Sequence, residues 1–317
     1  MRKYQRHSAE VIKKSHSKST GSALVTSWRR SALKFELDPA EDYRPERLTE
    51  AELSLRRDAI GKFLHLATPQ LDQVFKLVGL PGRNVLLSDA DGVVVDQRIH
   101  TADTRQFQEW DLWPGANWSE AVQGTNGIGT CLVEGRQICI HREEHFRTRN
   151  IDMSCMVAPI WGPDGRLLAA LDVTSARDDQ DEHSNSLILS HVANVARTIE
   201  AMNFRACYPD ARIIFASKDG SDPAMLLAVD RDDLVIGATL TARRALGLER
   251  EGDITHVPAA DLLESDADLA EQGFYSAERV VLTRALARAG GNVSAAARLL
   301  GIGRTTMYRR MARAGLG

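Results

Sequence analysis

The sequence predicts an α+β fold: an antiparallel sheet flanked by helices, a smaller strand–helix segment after it, and an all-α C-terminus. Three observations carry this expectation. Leu53, Ile60, Phe63, Leu64, Leu71, Val74, Phe75 and Val78 recur at three- and four-residue steps, the period of a helix with one apolar face. β-rich runs bounded by Asp, Gly and Pro follow, and a long helical pattern closes them, which is the α+β order. From Ser276 onward the pattern is helical again and rich in arginine.

In chain order, residues 1–20 read as a flexible basic tail, and Ser27 to Asp38 as a short helix stopping ahead of Pro39. Together they make residues 1–48 an arm. Pro69 lies inside the helical pattern of 49–79, which predicts two helices or a kink there, because proline lacks the N–H a helix needs. Asn84–Ser88 and Gly92–Asp96 flank Asp89-Ala90-Asp91 and read as a hairpin. Residues 101–124 have no period and read as a long loop with a helical turn. Asn126–Val133 reads as a short helix, Arg136–His141 as a strand, Glu143–Arg149 as a helical turn, and Ser154–Trp161 and Leu167–Thr174 as strands around the turn Pro163-Asp164-Gly165. A long helix covers about 181–206 and completes a domain over 49–206. In 207–255, Met225–Val229 and Leu234–Ile236 form a second hairpin and Ala242–Leu246 a helix ending at Gly247. Residues 256–275 are acidic and aperiodic, as a linker would be, and 276–317 form the last domain.

Composition narrows the function classes. No run approaches the roughly 18 apolar residues of a membrane span. The N-terminus is polar and lacks the apolar core of a secretory signal. Cys131, Cys139, Cys155 and Cys207 show no C-x-x-C spacing and suit reduced thiols in a cytoplasm. The formal net charge of −3 hides an asymmetry. Residues 1–35 carry nine Lys/Arg against one acid, 205–275 carry seven against fourteen, and 276–317 carry eight against one. The basic C-terminus is suited to a polyanion although the whole chain is slightly acidic.

The spacing within that C-terminus is specific. Gly290-Gly291-Asn292 stops one helix, and Asn292 is placed to cap the next, Val293–Leu300. Ala297 is the small residue needed where two helices touch, Gly301 is free to take positive φ in the turn, and Ile302 and Met307 pin the following helix. That helix then offers Arg304, Thr305, Thr306, Tyr308, Arg309, Arg310 and Arg313 to double-stranded DNA, with Arg304, Thr305 and Thr306 toward base edges, Tyr308 and Arg313 toward phosphates, and Arg309 and Arg310 open to either role. A basic helical face alone is usually only solvated; here Gly291 to Arg310 resembles the Fis-family helix-turn-helix almost residue for residue. The resemblance implies a DNA-binding transcriptional regulator. Because one such motif makes few base contacts, a homodimer on an inverted-repeat operator is expected.

Gly124-Thr-Asn-Gly-Ile-Gly-Thr130, Val133-Glu134, Glu144-His-Phe146, Ala158-Pro-Ile160, Pro163-Asp-Gly165 and Leu171-Asp-Val173 resemble the sensory domain of acetoin-catabolism regulators, which belong to the GAF superfamily. Ser27-Trp-Arg29 and Leu37-Asp-Pro39 continue that resemblance upstream, and 210–250 is similar to the PAS-like segment of the same proteins. The resemblance implies a small-molecule pocket bounded by the 101–124 loop, a sheet face and the helix near Asn126. Its expected lining is Trp113, Trp118, Thr125, Cys139, Ser154, Met156 and Asp172, with a protein partner as the alternative to a small effector. The tryptophans read equally as a lid or as a hydrophobic cover. Regulators of this layout carry an ATPase module, whereas this chain has no G-x-x-x-x-G-K-[ST] loop. Regulation without ATP hydrolysis is therefore expected, by occupancy, RNA polymerase contact or a protein partner. Gly124-x-x-Gly127-x-Gly129 lacks dinucleotide spacing and reads as a turn before a helix. Cys139, His141 and His145 make no metal set, no cofactor is expected, and no nucleophile turn supports an enzyme. The rival reading is a sensor or adaptor acting through protein contacts.

Overall fold

The β-rich runs form one antiparallel sheet in the computed structural model, which describes residues 2–17, 22–43, 46–177, 181–216, 224–263, 278–279, 281–286 and 289–316. Its strands are β1 (Arg83–Asp89), β2 (Val94–Ile99), β3 (Ile138–His141), β4 (Ser154–Trp161) and β5 (Leu167–Ser175), in the order β2-β1-β5-β4-β3. The central strand β5 and its neighbour β1 are almost wholly buried because both sheet faces are covered. On one face Val85, Leu87, Met156, Ala158, Leu171 and Val173 pack against α4 (Gly61–Val78) and α8 (Glu182–Cys207). On the other, Leu86, Cys155, Val157 and Ala170 pack beneath α7 (Gly127–Glu134) and the 101–124 segment, which carries the short helices α5 (Thr104–Glu109) and α6 (Glu120–Gln123) and contributes Phe107, Leu112 and Trp118.

Helix α3 (Glu50–Ala59) begins with a capping box in which the Thr49 hydroxyl accepts from Glu52 N–H and the Glu52 carboxylate accepts from Thr49 N–H. The break expected at Pro69 falls instead at Ile60, whose φ of −111° and ψ of 19° leave the helical region. Pro69 sits within α4, whose buried Phe63, Ala67, Leu71, Val74 and Val78 lie on both sides of it. One missing N–H does not outweigh that buried face.

The N-terminal residues expected as a flexible tail form a helix, α1 (Arg2–Ser15). Its buried residues His7, Val11 and Ser15 are four apart, a stripe one residue wide. Val11 packs with Trp28 of α2 (Ala23–Arg29) and with Phe146, and His7 Nε2 donates to the Glu143 carbonyl at 3.0 Å. One buried aliphatic residue, with the neighbouring Ile12 exposed among lysines, gives too little periodicity to see from sequence.

The turn into α7 is built by exclusion of side chains. Gly124 takes φ +68°, and the Asn126 carboxamide accepts from Gly129 N–H at 2.8 Å while donating to the Trp118 and Gly124 carbonyls at 3.0 and 2.8 Å. A Cβ on Gly127 would overlap Cys155 and Val157 of β4; one on Gly129 would overlap the backbone of Trp118 to Glu120. The glycines thus serve a close helix approach, as expected of a turn before a helix.

After α8 the chain forms β6 (Arg212–Phe215), β7 (Leu226–Val229) and β8 (Leu234–Ala238), paired antiparallel, then α9 (Leu240–Ala245). Strand β6 was not expected from sequence. Ala201 and Phe204 of α8 pack on Leu226 and Ala228, so this sheet is seated on the end of the long helix. Arg243 is buried; its guanidinium donates to the carbonyls of Ala238, Glu249 and Gly252 at 2.8–2.9 Å and to Pro163 at 3.4 Å.

Met1–His256 and Val257–Gly317 are separate compact units. The second holds α10 (Ala259–Leu263), within the expected linker, helical residues 281–286 (α11), α12 (Val293–Leu299) and α13 (Arg304–Arg313). The rest of the expected linker, 264–275, and the expected helix positions Ser276 and Val280 lie outside the described residues.

Because backbone rather than a movable side chain faces Gly129, Gly129→Ala should destabilise the first unit by about 1–3 kcal/mol, seen as a lower urea midpoint. An unchanged midpoint would show that α7 has room to shift.

Candidate functional site

The C-terminal unit supplies one candidate surface. Asn292 caps α12 by accepting from Ser294 and Ala295 N–H at 3.0 and 3.1 Å, and Gly301 takes φ +64°. Leu282, Ala285, Ala296, Ala297 and Met307 form the small core that locks α13 onto α11 and α12. With about 3.6 residues per turn, burial of Met307 and Ala314 turns Thr305 and Arg309 outward. Arg304, Thr305, Tyr308, Arg309, Arg310 and Arg313 are exposed, and Thr306 is half-buried. Arg304 lies over the Tyr308 ring, 5.6 Å from its centre, and reaches its hydroxyl at 3.4 Å. Arg310 pairs with Glu278 at 3.3 Å. Gly303 gives α13 no side-chain cap, leaving amides of its first turn available to an anion.

In the first unit, the expected ligand residues do not meet. Cys139, Ser154 and Met156 lie on the sheet face toward α4 and α8, since Cys139 opposes Met156 and Met156 opposes Val173. Asp172 opposes Val157 and Leu86 and lies on the other face. The expected lining was therefore one residue out of step along β3 and β4, where every side chain alternates. Thr125 is buried in a network of hydroxyls and charges. Ser27 Oγ sits 2.7 Å from both Thr125 Oγ1 and Glu120 Oε1, and Arg30 donates to both Glu120 oxygens at 3.1 and 3.0 Å. Trp118 is buried with its indole N–H donating to Asp111 O at 2.8 Å, the position of a cover; Trp113 is half-buried.

The face beneath α7 holds an enclosed polar cluster. Thr174 Oγ1 donates to Asp172 Oδ2 at 2.6 Å, while Asp172 Oδ1 has no partner among the described residues. Burial raises the Asp172 carboxyl to about 7, with the Thr174 bond opposing the shift. His145 Nδ1 donates to Arg142 O at 2.9 Å, so Nε2 is the acceptor facing Cys155 Sγ at 3.5 Å. Burial pushes His145 down to about 4 and Cys155 well up. Thiol and imidazole are both held neutral, which is the opposite of an activated nucleophile.

A cavity of about 700 Å³ lies elsewhere, at the edge of the sheet. Cys139 and His141 of β3, the 142–144 turn and Asn185, Ser186 and Leu189 of α8 line it. His141 Nδ1 is 2.8 Å from Ser154 Oγ and 3.2 Å from Asn185 Nδ2. Of the expected lining only Cys139 borders this cavity. No local motif marks the others; the α8 register that brings Asn185 to His141 spans 44 residues.

Comparison with known proteins fits this two-part layout. Residues 276–313 match the family described as bacterial regulatory protein, Fis family, and residues 64–199 match the GAF domain. The acetoin catabolism regulatory protein of Cupriavidus necator is 31% identical over 84% of this chain and 41% of its own length. The acetoin dehydrogenase operon transcriptional activator AcoR of Bacillus subtilis is 30% identical over 48% of this chain and 25% of its own length. The chain thus spans less than half of these relatives. A similar fold occurs in the crystal structure of the E. coli DhaR(N)–DhaL complex, with TM-score 0.53 and 12% identity over 77% of this chain and 80% of that one.

The buried carboxyl carries a pH signature. Asp172 titrates at about 7 in the folded chain against an ordinary 3.8, so between those values the folded state holds a proton that the unfolded chain has released. Its contribution is fully present at low pH and is lost as pH rises toward and through about 7. Asp172→Asn should therefore gain melting temperature relative to the parent between about pH 5 and pH 8. A pH-independent difference would place the carboxyl at its ordinary value.

Proposed function

We propose that this chain, a GAF domain and a Fis-family helix-turn-helix in one polypeptide, is a transcriptional regulator that binds a two-fold DNA site as a homodimer and responds to what its GAF unit binds. The observation that carries the reading is α13. Its apolar side is locked on α11 and α12, and its arginines, threonines and tyrosine are turned outward from an uncapped helix start. A helix entering the major groove needs that arrangement, with base-reading groups near its N-terminus and cations on its flanks.

The names of the relatives support the regulatory reading. Control without ATP hydrolysis, through operator occupancy or contact with RNA polymerase, suits a chain that carries no phosphate-binding loop motif. The effector is a small molecule or a protein partner; the E. coli DhaR(N)–DhaL complex gives the second possibility a precedent in a similar fold. A cytoplasmic location follows from a DNA target, and among the described residues no helix is long and apolar enough to cross a membrane. The neutral Cys155–His145 pair supports a sensor rather than an enzyme. The rival adaptor reading predicts no sequence preference on DNA.

Binding of single variants to an operator library at two salt concentrations tests this. Arg304→Ala and Arg309→Ala should change base preference, by about 1–3 kcal/mol of discrimination where guanine is contacted. Arg313→Ala, on the phosphate side, should weaken all sequences alike and lower the salt slope by about 1. Unchanged base preference in both of the first two variants would remove α13 from the groove. Absence of specific binding by the full chain would favour the adaptor.

A further inference from the structure

We propose that the effector site of the GAF unit is the cavity at the sheet edge between β3 and α8, and that it takes a small organic cation, an ammonium group on a short carbon skeleton bearing an oxygen acceptor. This deepens the sensor reading above and rests on it. At about 700 Å³ the cavity has the size of small-molecule sites. It lies on the opposite side of β3 and β4 from the space beneath Trp118, which is filled by Leu112, Ile128 and Cys131.

The chemistry of the walls selects the ligand. Lys3, Arg142, Glu143, Glu144 and Glu182 supply the charges. Lys3 pairs with Asp152 at 3.0 Å, and Arg142 donates to the backbone carbonyl of Arg177 at 2.9 Å. Glu144 is engaged too, accepting from His141 N–H at 2.7 Å. The exposed carboxylates of Glu143 and Glu182 have no cationic partner among the described residues. Three carboxylates stand against Lys3 and Arg142 at the cavity, and Lys3 is also held by Asp152, so the balance of charge there is negative and favours a ligand cation.

The remaining wall specifies the rest of the molecule. Asn185 is buried, and its amide nitrogen can only donate to His141 Nδ1. That leaves the His141 proton on Nε2, a donor for a hydroxyl or carbonyl oxygen. Cys139 and Leu189 give an apolar surface for a short skeleton, and the Cys139 thiol is held protonated by burial and by the nearby carboxylates. A ligand bound here touches β3 and the start of α8 together. The other end of that 26-residue helix carries the second sheet, so the contact reaches the element leading out of the GAF fold.

Isothermal titration of the full chain with ethanolamine tests the proposal, with ethylene glycol and glycolate as neutral and anionic counterparts. Ethanolamine should bind and the other two should not. Glu143→Gln combined with Glu182→Gln should weaken binding roughly tenfold, Ser186→Phe should abolish it by filling the cavity, and Glu50→Gln, an exposed charge on α3, should leave it unchanged. No heat from ethanolamine, equal binding of all three compounds, or undiminished binding in the double variant would each overturn the site. Operator binding measured on the same preparation keeps the two claims apart. Failure of amine binding with specific DNA binding intact refutes this site and leaves the regulator standing.

Discussion

The first unit depends on one close approach, that of α7 to the sheet. Gly127 lets the helix start against Cys155 and Val157, and Gly129 lets it pass the backbone of Trp118 to Glu120. Asn126 then commits its side chain to three backbone groups, one inside the helix and two in the incoming chain. A Cβ at Gly127 would push the helix off β4, and one at Gly129 would push it off the Trp118–Glu120 backbone. Because Glu120 is fixed by the same approach, its carboxylate is in place for Ser27 and Arg30, which tie the N-terminal helices to the domain. The Thr125 hydroxyl, just before Asn126, meets Ser27 and Ser31 in the same network.

That approach divides the polar groups of the fold into two environments. Under α7, Asp172, Thr174, Cys155 and His145 are enclosed, and burial favours the neutral forms of Asp172, Cys155 and His145. At the sheet edge, His141 is buttressed by Ser154 and Asn185 but borders open space with charged neighbours. The two histidines, four residues apart, thus have different chemistry. His145 donates inward to a carbonyl and accepts from a thiol, whereas His141 is held through Nδ1 and presents Nε2. Recognition needs groups that exchange water for ligand without leaving an unpaired buried charge, and the second environment meets that requirement better.

Much of the fold was legible because its signals are local. The strand Ser154–Trp161 and the helix starting after Asn126 coincide with their apolar runs and cap, and the helix-turn-helix glycine and alanines occupy the places their spacing assigns. What was not legible depends on distant partners. The order β2-β1-β5-β4-β3 sets which face of β4 meets α8, and no window of β4 reveals that Met156 rather than Val157 faces the helices. Helix α1 was hidden because its burial rests on Trp28 and Phe146, remote in sequence, and not on its own composition. Pro69 misled for a related reason: a local rule about a lost N–H met a buried face on both sides.

In the C-terminal unit the same logic sets which arginines are available to DNA. The apolar lock on α13 is the burial of Met307, while the Arg310–Glu278 contact joins an exposed guanidinium to a largely buried carboxylate. Its consequence is electrostatic. Glu278 partly neutralises the guanidinium on that flank, and a phosphate contact by Arg310 has to compete with it. Arg304 is held in a different way, against the Tyr308 ring, which restricts its rotamers while leaving its charge unpaired. A guanidinium ordered before binding loses less entropy when it docks. Arg309, one turn after Thr305 on the outward line, has no ion-pair partner among the described residues and keeps its full charge. Among the described arginines of this unit, Arg304, Arg309 and Arg310 are therefore not equivalent, and net charge alone does not tell them apart.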